Sequence, residues 1–285
     1  MKTKVIAMYL PQYYVIEENS KFWGEGFTDW VGVKKAQPFL DNQIQPRVPL
    51  NNNYYDLSDP NVLRWQAKIA KEHGVYGFGM YHYWFNNKQN LLTKPSENLL
   101  LNKDINMPFF FAWDNCSWKR TWSKIPGNDW APIIDENNRP KLENGKEVLV
   151  EFKLGNKNDW KKHFDYLLPF FQDERYIKIN NKPLFFVFHC SKGILDMASY
   201  FDELAKNAGF DGILISFNKS PKIICNKAKS MFTYEPTYCL YGLAKISRYV
   251  WFKITKKISH IKSYDWAWKL ILRHAKHNNR KKIFD

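Results

Sequence analysis

Glu25 and Asp29 stand among Trp23, Phe27 and Trp30 within the nine residues Phe22-Trp23-Gly24-Glu25-Gly26-Phe27-Thr28-Asp29-Trp30. A core segment would not carry two carboxylates, and a solvated loop would not spend two tryptophans. Aromatic faces among acids and amides suit a sugar, whose C–H face stacks on a ring while its hydroxyls bond to carboxylates and amides. Just upstream, Tyr9-Leu10-Pro11-Gln12 adds a phenol and an amide.

Three further groups of the same kind follow apolar runs. His82-Tyr83-Trp84 closes one; its imidazole could orient a hydroxyl or shuttle a proton near neutral pH. The alternative for His82 is a buried, hydrogen-bonded histidine under an aromatic cluster. Trp113-Asp114-Asn115-Cys116-Ser117-Trp118 closes the next and offers two acceptors and an amide donor between tryptophans. Cys116 has no base beside it in sequence and is read as an inert thiol. Tyr234-Glu235-Pro236 closes a third, with Pro236 ending the run behind an acid. Asp114 and Glu235 are the acid/base candidates. Tyr9, Gln12, Trp23, Asp29, Trp30, His82, Tyr83, Trp84, Trp113 and Asn115 are the candidates for holding substrate.

Positioning these residues requires alternating strands and helices. Apolar, β-branched or aromatic runs at Lys4–Leu10, Val75–Tyr83, Pro108–Trp113, Pro183–His189, Gly212–Phe217 and Ser230–Tyr234 read as buried parallel strands. Ser58-Asp59-Pro60 starts a helix that Gly74 ends, and Asp159–Phe171 and Asp196–Ala208 carry apolar residues at helical spacing. A doubly wound sheet would place a Gly-rich turn after its first strand, where Pro11-Gln12-Tyr13-Tyr14 stands instead. Polar and aromatic residues gather instead behind strand after strand, His189-Cys190 and Asn218 included, as in a (β/α)8 TIM barrel. The expected fold is therefore α/β, TIM-barrel-like and incomplete, with six of a barrel's eight strands visible. Residues 119–158 form a long polar insertion.

The net charge of +15 is uneven: residues 245–285 hold twelve Lys or Arg against two acids. Trp251, Phe252, Ile254, Trp266, Trp268 and Leu270 interleave with those cations. Residues 1–244 are read as a barrel-like domain and 245–285 as a basic amphipathic helical segment of the same domain. The segment is either an ordinary helix with a solvated basic face or a contact for an anionic membrane surface. With the charge confined to the tail and no nucleic-acid motif, no nucleic acid is expected as partner. The four cysteines lack zinc-ligand spacing and read as reduced thiols, so no metal and no cofactor are expected. The N-terminal apolar run reads as a strand, not a signal peptide, and no stretch approaches the ~20 apolar residues of a membrane span. The expected location is cytoplasmic, with the tail allowing a peripheral position at the inner face of the membrane.

The order of motifs resembles the WbsX-type proteins of bacterial polysaccharide clusters, which are related to the family-99 glycoside hydrolases. The resemblance runs through Tyr9-Leu10-Pro11-Gln12, Phe22-Trp23-Gly24, Gly26-Phe27-Thr28-Asp29-Trp30, Tyr55-Asp56-Leu57, Tyr81-His82-Tyr83-Trp84-Phe85, Trp113, Asn115, Trp118, Arg120, Arg175-Tyr176-Ile177 and Tyr234-Glu235-Pro236. It implies a (β/α)8 barrel acting on a glycan, an oligosaccharide or lipid-linked glycan, by glycosyl transfer or hydrolysis. Asp29 stands where the family usually has Glu, and Trp113-Asp114-Asn115-Cys116-Ser117-Trp118 where it commonly reads Trp-Ala-Asn-Glu-Asn-Trp. The late Asn-Glu-Trp-x-Glu-Gly motif that implies the hydrolases' two glutamates does not occur here. Two readings stay open: an enzyme of this class, and a glycan-binding or scaffold protein without catalysis.

Overall fold

The computed structural model describes residues 3–36, 38, 44–120, 142–143, 146–218 and 230–233. Glu235 and the whole of 245–285 lie outside the described residues. The chain divides into two compact units, Met1–Ser216 and Phe217–Asp285.

In the first unit a mostly parallel sheet runs through β1 (Val5–Tyr9), β2 (Val75–Asn86), β3 (Phe109–Trp113), β4 (Lys182–Val187) and the start of β5 (Leu214–Asn218), and in the second the end of β5 is followed by β6 (Met231–Phe232). Their order in space is their order in sequence. The printed registers of β1 with β2, β2 with β3, and β3 with β4 are all parallel. Within the second unit, Phe217 and Asn218 pair in parallel with Met231 and Phe232. A doubly wound sheet reverses its strand order at a switch point; this one does not. Successive right-handed crossovers in one direction put every crossover helix on one side, which is barrel winding. The α/β barrel-like expectation holds, and all six expected strands are present.

The helices are α1 (Glu17–Trp23), α2 (Asp29–Lys35), α3 (Pro60–Glu72), α4 (Lys94–Leu101), α5 (Lys157–Gln172) and α6 (Lys192–Asn207). The Asp59 carboxylate accepts from the Asn61 amide at 2.8 Å to cap α3, and Pro60 occupies its first turn. Asn156 and Asp159 form a reciprocal capping box on α5. The Ser191 hydroxyl caps α6, four residues nearer the N-terminus than the apolar spacing suggested.

Strand alternation divides the sheet into two faces. On the helix-covered face Tyr9 stacks on Phe78 at 4.9 Å, and Phe111 meets Phe170 of α5 at 5.0 Å. Phe109, Phe111, Phe170, Phe171, Phe185 and Phe201 are all less than 2 % exposed there. Each such ring contributes about 1.5–3 kcal/mol by leaving water. On the other face Phe110 meets Phe186 at 4.6 Å and Tyr81 stacks on Phe188 at 5.3 Å. Gly79 faces this side, where a Cβ would come within 2.9 Å of both Met8 Sδ and the Phe110 ring. Glycine lets these strands approach.

Two devices pin the ends of the sheet. At the N-terminal end, the Arg175 guanidinium donates to Asp173 and to the carbonyls of Leu99, Asn102 and Ile105. The Tyr176 hydroxyl accepts from the Phe111 amide and donates to the Leu184 carbonyl. At the opposite end, the long insertion contributes antiparallel strands at Leu142–Glu143 and Lys146–Val150, the latter paired with Trp118–Lys119. Arg120 ion-pairs with Glu147 and donates to the Phe22 carbonyl, tying this hairpin to α1.

Candidate functional site

The C-terminal ends of β1, β2 and β3 bring together Gln12, Asp29, Tyr83 and Asp114. Gln12 follows β1 and lies between the other two segments: its amide nitrogen donates to Asp29 Oδ1 at 2.9 Å, and its carbonyl oxygen lies 3.5 Å from the Tyr83 hydroxyl. One side chain thus joins the loop after β1, the first turn of α2 and the end of β2. Burial pushes the Asp29 carboxyl up from its ordinary value, and the Gln12 hydrogen bond partly offsets it. The Tyr83 hydroxyl is raised well above its ordinary value, first by burial and then by the nearby charges of Asp114, Tyr81, Asp29 and Cys116. Tyr83 therefore lies within electrostatic reach of both carboxylates.

Asp114 and Asn115 follow β3 and face different tasks. The Cys116 thiol donates to Asp114 Oδ1 at 3.1 Å. Burial raises the Asp114 carboxyl, with the Cys116 hydrogen bond and the charge of His189 acting against it. Asn115, 4 % exposed, spends its amide on one partner: it donates to the His189 carbonyl at 2.7 Å and accepts from the His189 amide at 2.8 Å. This reciprocal pair sets His189, two residues after β4, beside the end of β3. The ligand atoms of Asp114, Cys116 and His189 all lie within 4.8 Å of one another.

His82, Trp84 and Trp113 lie on the other, helix-covered face. His82 Nε2 is 2.8 Å from His163 Nε2 of α5, and Trp84 stacks on His163 at 4.5 Å. The Trp113 indole donates to the Trp84 carbonyl at 2.9 Å and packs on His163 at 4.8 Å. Period-two alternation separates them from Tyr81 and Tyr83 in the same strands. Tyr9 is also on that face, its hydroxyl donating to Gln66 of α3 at 2.7 Å. It lines an apolar cleft of about 400 Å³ with Tyr13, Tyr55, Trp65 and Gln66.

The two tryptophans of the opening motif have partners within the fold. Trp30 packs between Tyr13, Tyr54 and Tyr55 and donates to the Tyr55 carbonyl at 2.8 Å. Trp23 lies under the Arg120 guanidinium at 4.7 Å, a cation–π contact. Glu25 is exposed. His189 and Cys116 were not among the sequence candidates for the site. His189 comes from 73 residues beyond Cys116, and the polar pair His189-Cys190 behind a strand was the one signal for it. Cys190 is disulfide-bonded, which departs from the expectation of four reduced thiols and removes the support that expectation gave to a location.

The sequence profile of the family described as "Glycosyltransferase WbsX" matches residues 5–283. The chain belongs to the WbsX glycosyltransferase family. It is also 30% identical over 184 residues to "Uncharacterized protein WxcX" from two strains of Xanthomonas campestris pv. campestris, B100 and ATCC 33913. Those matches cover 65% of this chain and 24% of the relative, so the chain spans about a quarter of the length of the curated relatives it matches. Among solved structures it is similar to the GH99 endo-alpha-mannosidase from Bacteroides thetaiotaomicron, at 14% identity and a TM-score of 0.45 for the complex with BIS-TRIS-Propane. That alignment covers 90% of this chain and 68% of the other. A second structure of the same enzyme aligns with a TM-score of 0.42. No helix among the described residues is long and apolar enough to cross a membrane.

Proposed function

We propose that this WbsX-family chain acts on a glycan of bacterial surface-polysaccharide biosynthesis, at the C-terminal ends of β1, β2 and β3. The substrate is an oligosaccharide or lipid-linked glycan, and the reaction is glycosyl transfer or glycoside hydrolysis. The observation that carries this reading is the hydrogen-bonded line Asp29–Gln12–Tyr83 beside Asp114. It sets a carboxylate, an amide and a phenol side by side, the donor and acceptor set that sugar hydroxyls need. Membership of the family supports the choice of a glycan over other polar ligands.

In this reading Asp29 and Gln12 bind hydroxyls, while Tyr83, 5 % exposed and stacked on Tyr81, holds the Gln12 side chain from beneath. Asn115 holds its neighbours in place. Asp114 is the acid/base group on this side of the site, and Glu235, outside the described residues, is the second candidate. Glycoside chemistry commonly uses such a pair of carboxyl groups. The basic segment 245–285 holds the protein against an anionic inner leaflet, where a lipid-linked substrate would be met.

Calorimetry with oligosaccharides from the surface polysaccharide tests the binding half. Wild type should bind, and Gln12→Ala should weaken binding about tenfold, the loss of one or two hydrogen bonds at about 1 kcal/mol each. Equal affinity of the two would contradict the assignment. Sedimentation with anionic vesicles tests the tail: deletion of 245–285 should abolish it, and unchanged sedimentation would rule the tail out.

A further inference from the structure

We infer that Asp114, Cys116 and His189 form a binding site for a divalent transition metal of the zinc type. The sequence offered no such expectation, because its Cys and His spacing matches no zinc motif. The fold supplies the third donor by placing the end of β4 beside the end of β3.

The donor set is the first ground. Thiolate, imidazole and carboxylate together suit zinc and its neighbours, whereas calcium and magnesium take oxygen ligands. Geometry is the second. The three ligand atoms lie within 4.8 Å of one another, and Cys116 Sγ is already 3.1 Å from Asp114 Oδ1. Tetrahedral zinc, with bonds of about 2.0–2.3 Å, places its donors about 3.3–3.6 Å apart. Side-chain rotation of about an ångström closes the difference, and exposed His189 has room for it.

The support beneath the ligands is the third ground. Buried Asn115 sits between two of them in sequence and clamps the backbone of the third through two hydrogen bonds. This clamp fixes where the His189 backbone lies and leaves its exposed ring free to turn towards the other two donors. Three protein donors leave a fourth position for water or a substrate oxygen, which is the arrangement of catalytic rather than structural zinc sites. Identifying that oxygen as a sugar hydroxyl rests on the glycan reading above; metal binding itself does not. With the cation in place Asp114 would be one of its ligands, and the cation would supply the acidity that the proposed function asks of Asp114.

Titration of the full chain, its Cys190 disulfide intact and Cys116 as the free thiol, with cobalt(II) in the absence of glycan tests this directly. Wild type should take up one equivalent at this site, with a thiolate-to-cobalt charge-transfer band and visible bands of tetrahedral intensity. Cys116→Ser should lose the charge-transfer band. His189→Gln, at an exposed position that folding tolerates, should weaken binding at least about tenfold. No charge-transfer band in wild type, or a band that survives both substitutions, would overturn the site. Glycan binding measured on the same samples separates failure of this inference from failure of the glycan reading.

Discussion

Asn115 and His189 exchange two hydrogen bonds, side-chain amide to backbone, across 74 residues of sequence. This contact fixes the ends of β3 and β4 relative to each other and so sets where Asp114, Cys116 and the His189 imidazole meet. Its position between Asp114 and Cys116 makes Asn115 a positioning residue.

Asn115→Leu should destabilise the fold by about 2–4 kcal/mol. It removes two part-buried hydrogen bonds and leaves the amide and carbonyl of His189 without these partners. Urea unfolding measures this. A change below about 0.5 kcal/mol would mean the pair carries no weight.

The His82–His163 contact predicts a pH dependence of stability. Their Nε2 atoms are 2.8 Å apart, so one ring donates and the other accepts, and both are neutral in different tautomers. Burial pushes His82 down from 6.5 to about 3. It pushes His163 well below its ordinary value, with the neighbouring His82 adding to the shift. The unfolded chain takes up these protons near pH 6.5 and the folded chain does not. Stability is therefore complete above about 6.5 and falls as pH drops from there towards 3, by up to about 1.4 kcal/mol per pH unit for each ring. His163→Phe should flatten that slope while costing stability at neutral pH, because His82 loses its partner. Denaturant midpoints across this range check both; an unchanged slope would contradict the neutral pair.

Arg175→Ala should be among the most damaging single changes in the first unit. It removes donors from three carbonyls and leaves Asp173, whose side chain is 2 % exposed, with Lys103 as its remaining charged partner. Burial alone would raise the Asp173 carboxyl, but hydrogen bonds from Arg175 and Lys103 win and hold it well below the usual carboxylate range. A loss of about 3–5 kcal/mol is expected, read as a lowered melting temperature. A shift of a degree or less would contradict it.

Much of the fold was legible in the sequence because its strands are continuous apolar runs with a stop signal behind each. Lys4–Leu10 and Pro108–Trp113 have no other reading, and Pro60 and Gly74 mark the ends of α3. Which face each strand residue takes was not legible. Alternation pairs Tyr81 with Tyr83 and His82 with Trp84, but both faces of β2 are aromatic, so nothing in Tyr81-His82-Tyr83-Trp84 says which pair packs under α5. The partners of Cys116 were equally invisible, since local spacing cannot report a histidine brought in by the next βα unit. Tryptophans close to acids looked like a sugar platform from composition; Trp30 instead spends its indole on the Tyr55 carbonyl. The Asp29–Gln12 contact was within reach of sequence reasoning, because both residues were singled out near the same strand end.

The measurement that tests the central claim most directly is turnover of the polysaccharide's own repeat-unit oligosaccharide, alone and with an activated sugar donor, followed by mass spectrometry. Wild type should shorten or extend the oligosaccharide. Asp114→Asn should bind it with similar affinity and leave it unchanged, and Asp29→Asn should bind it at least about tenfold more weakly. Binding by wild type with no change in mass under either condition would make this a glycan-binding protein, and no binding at all would contradict the account.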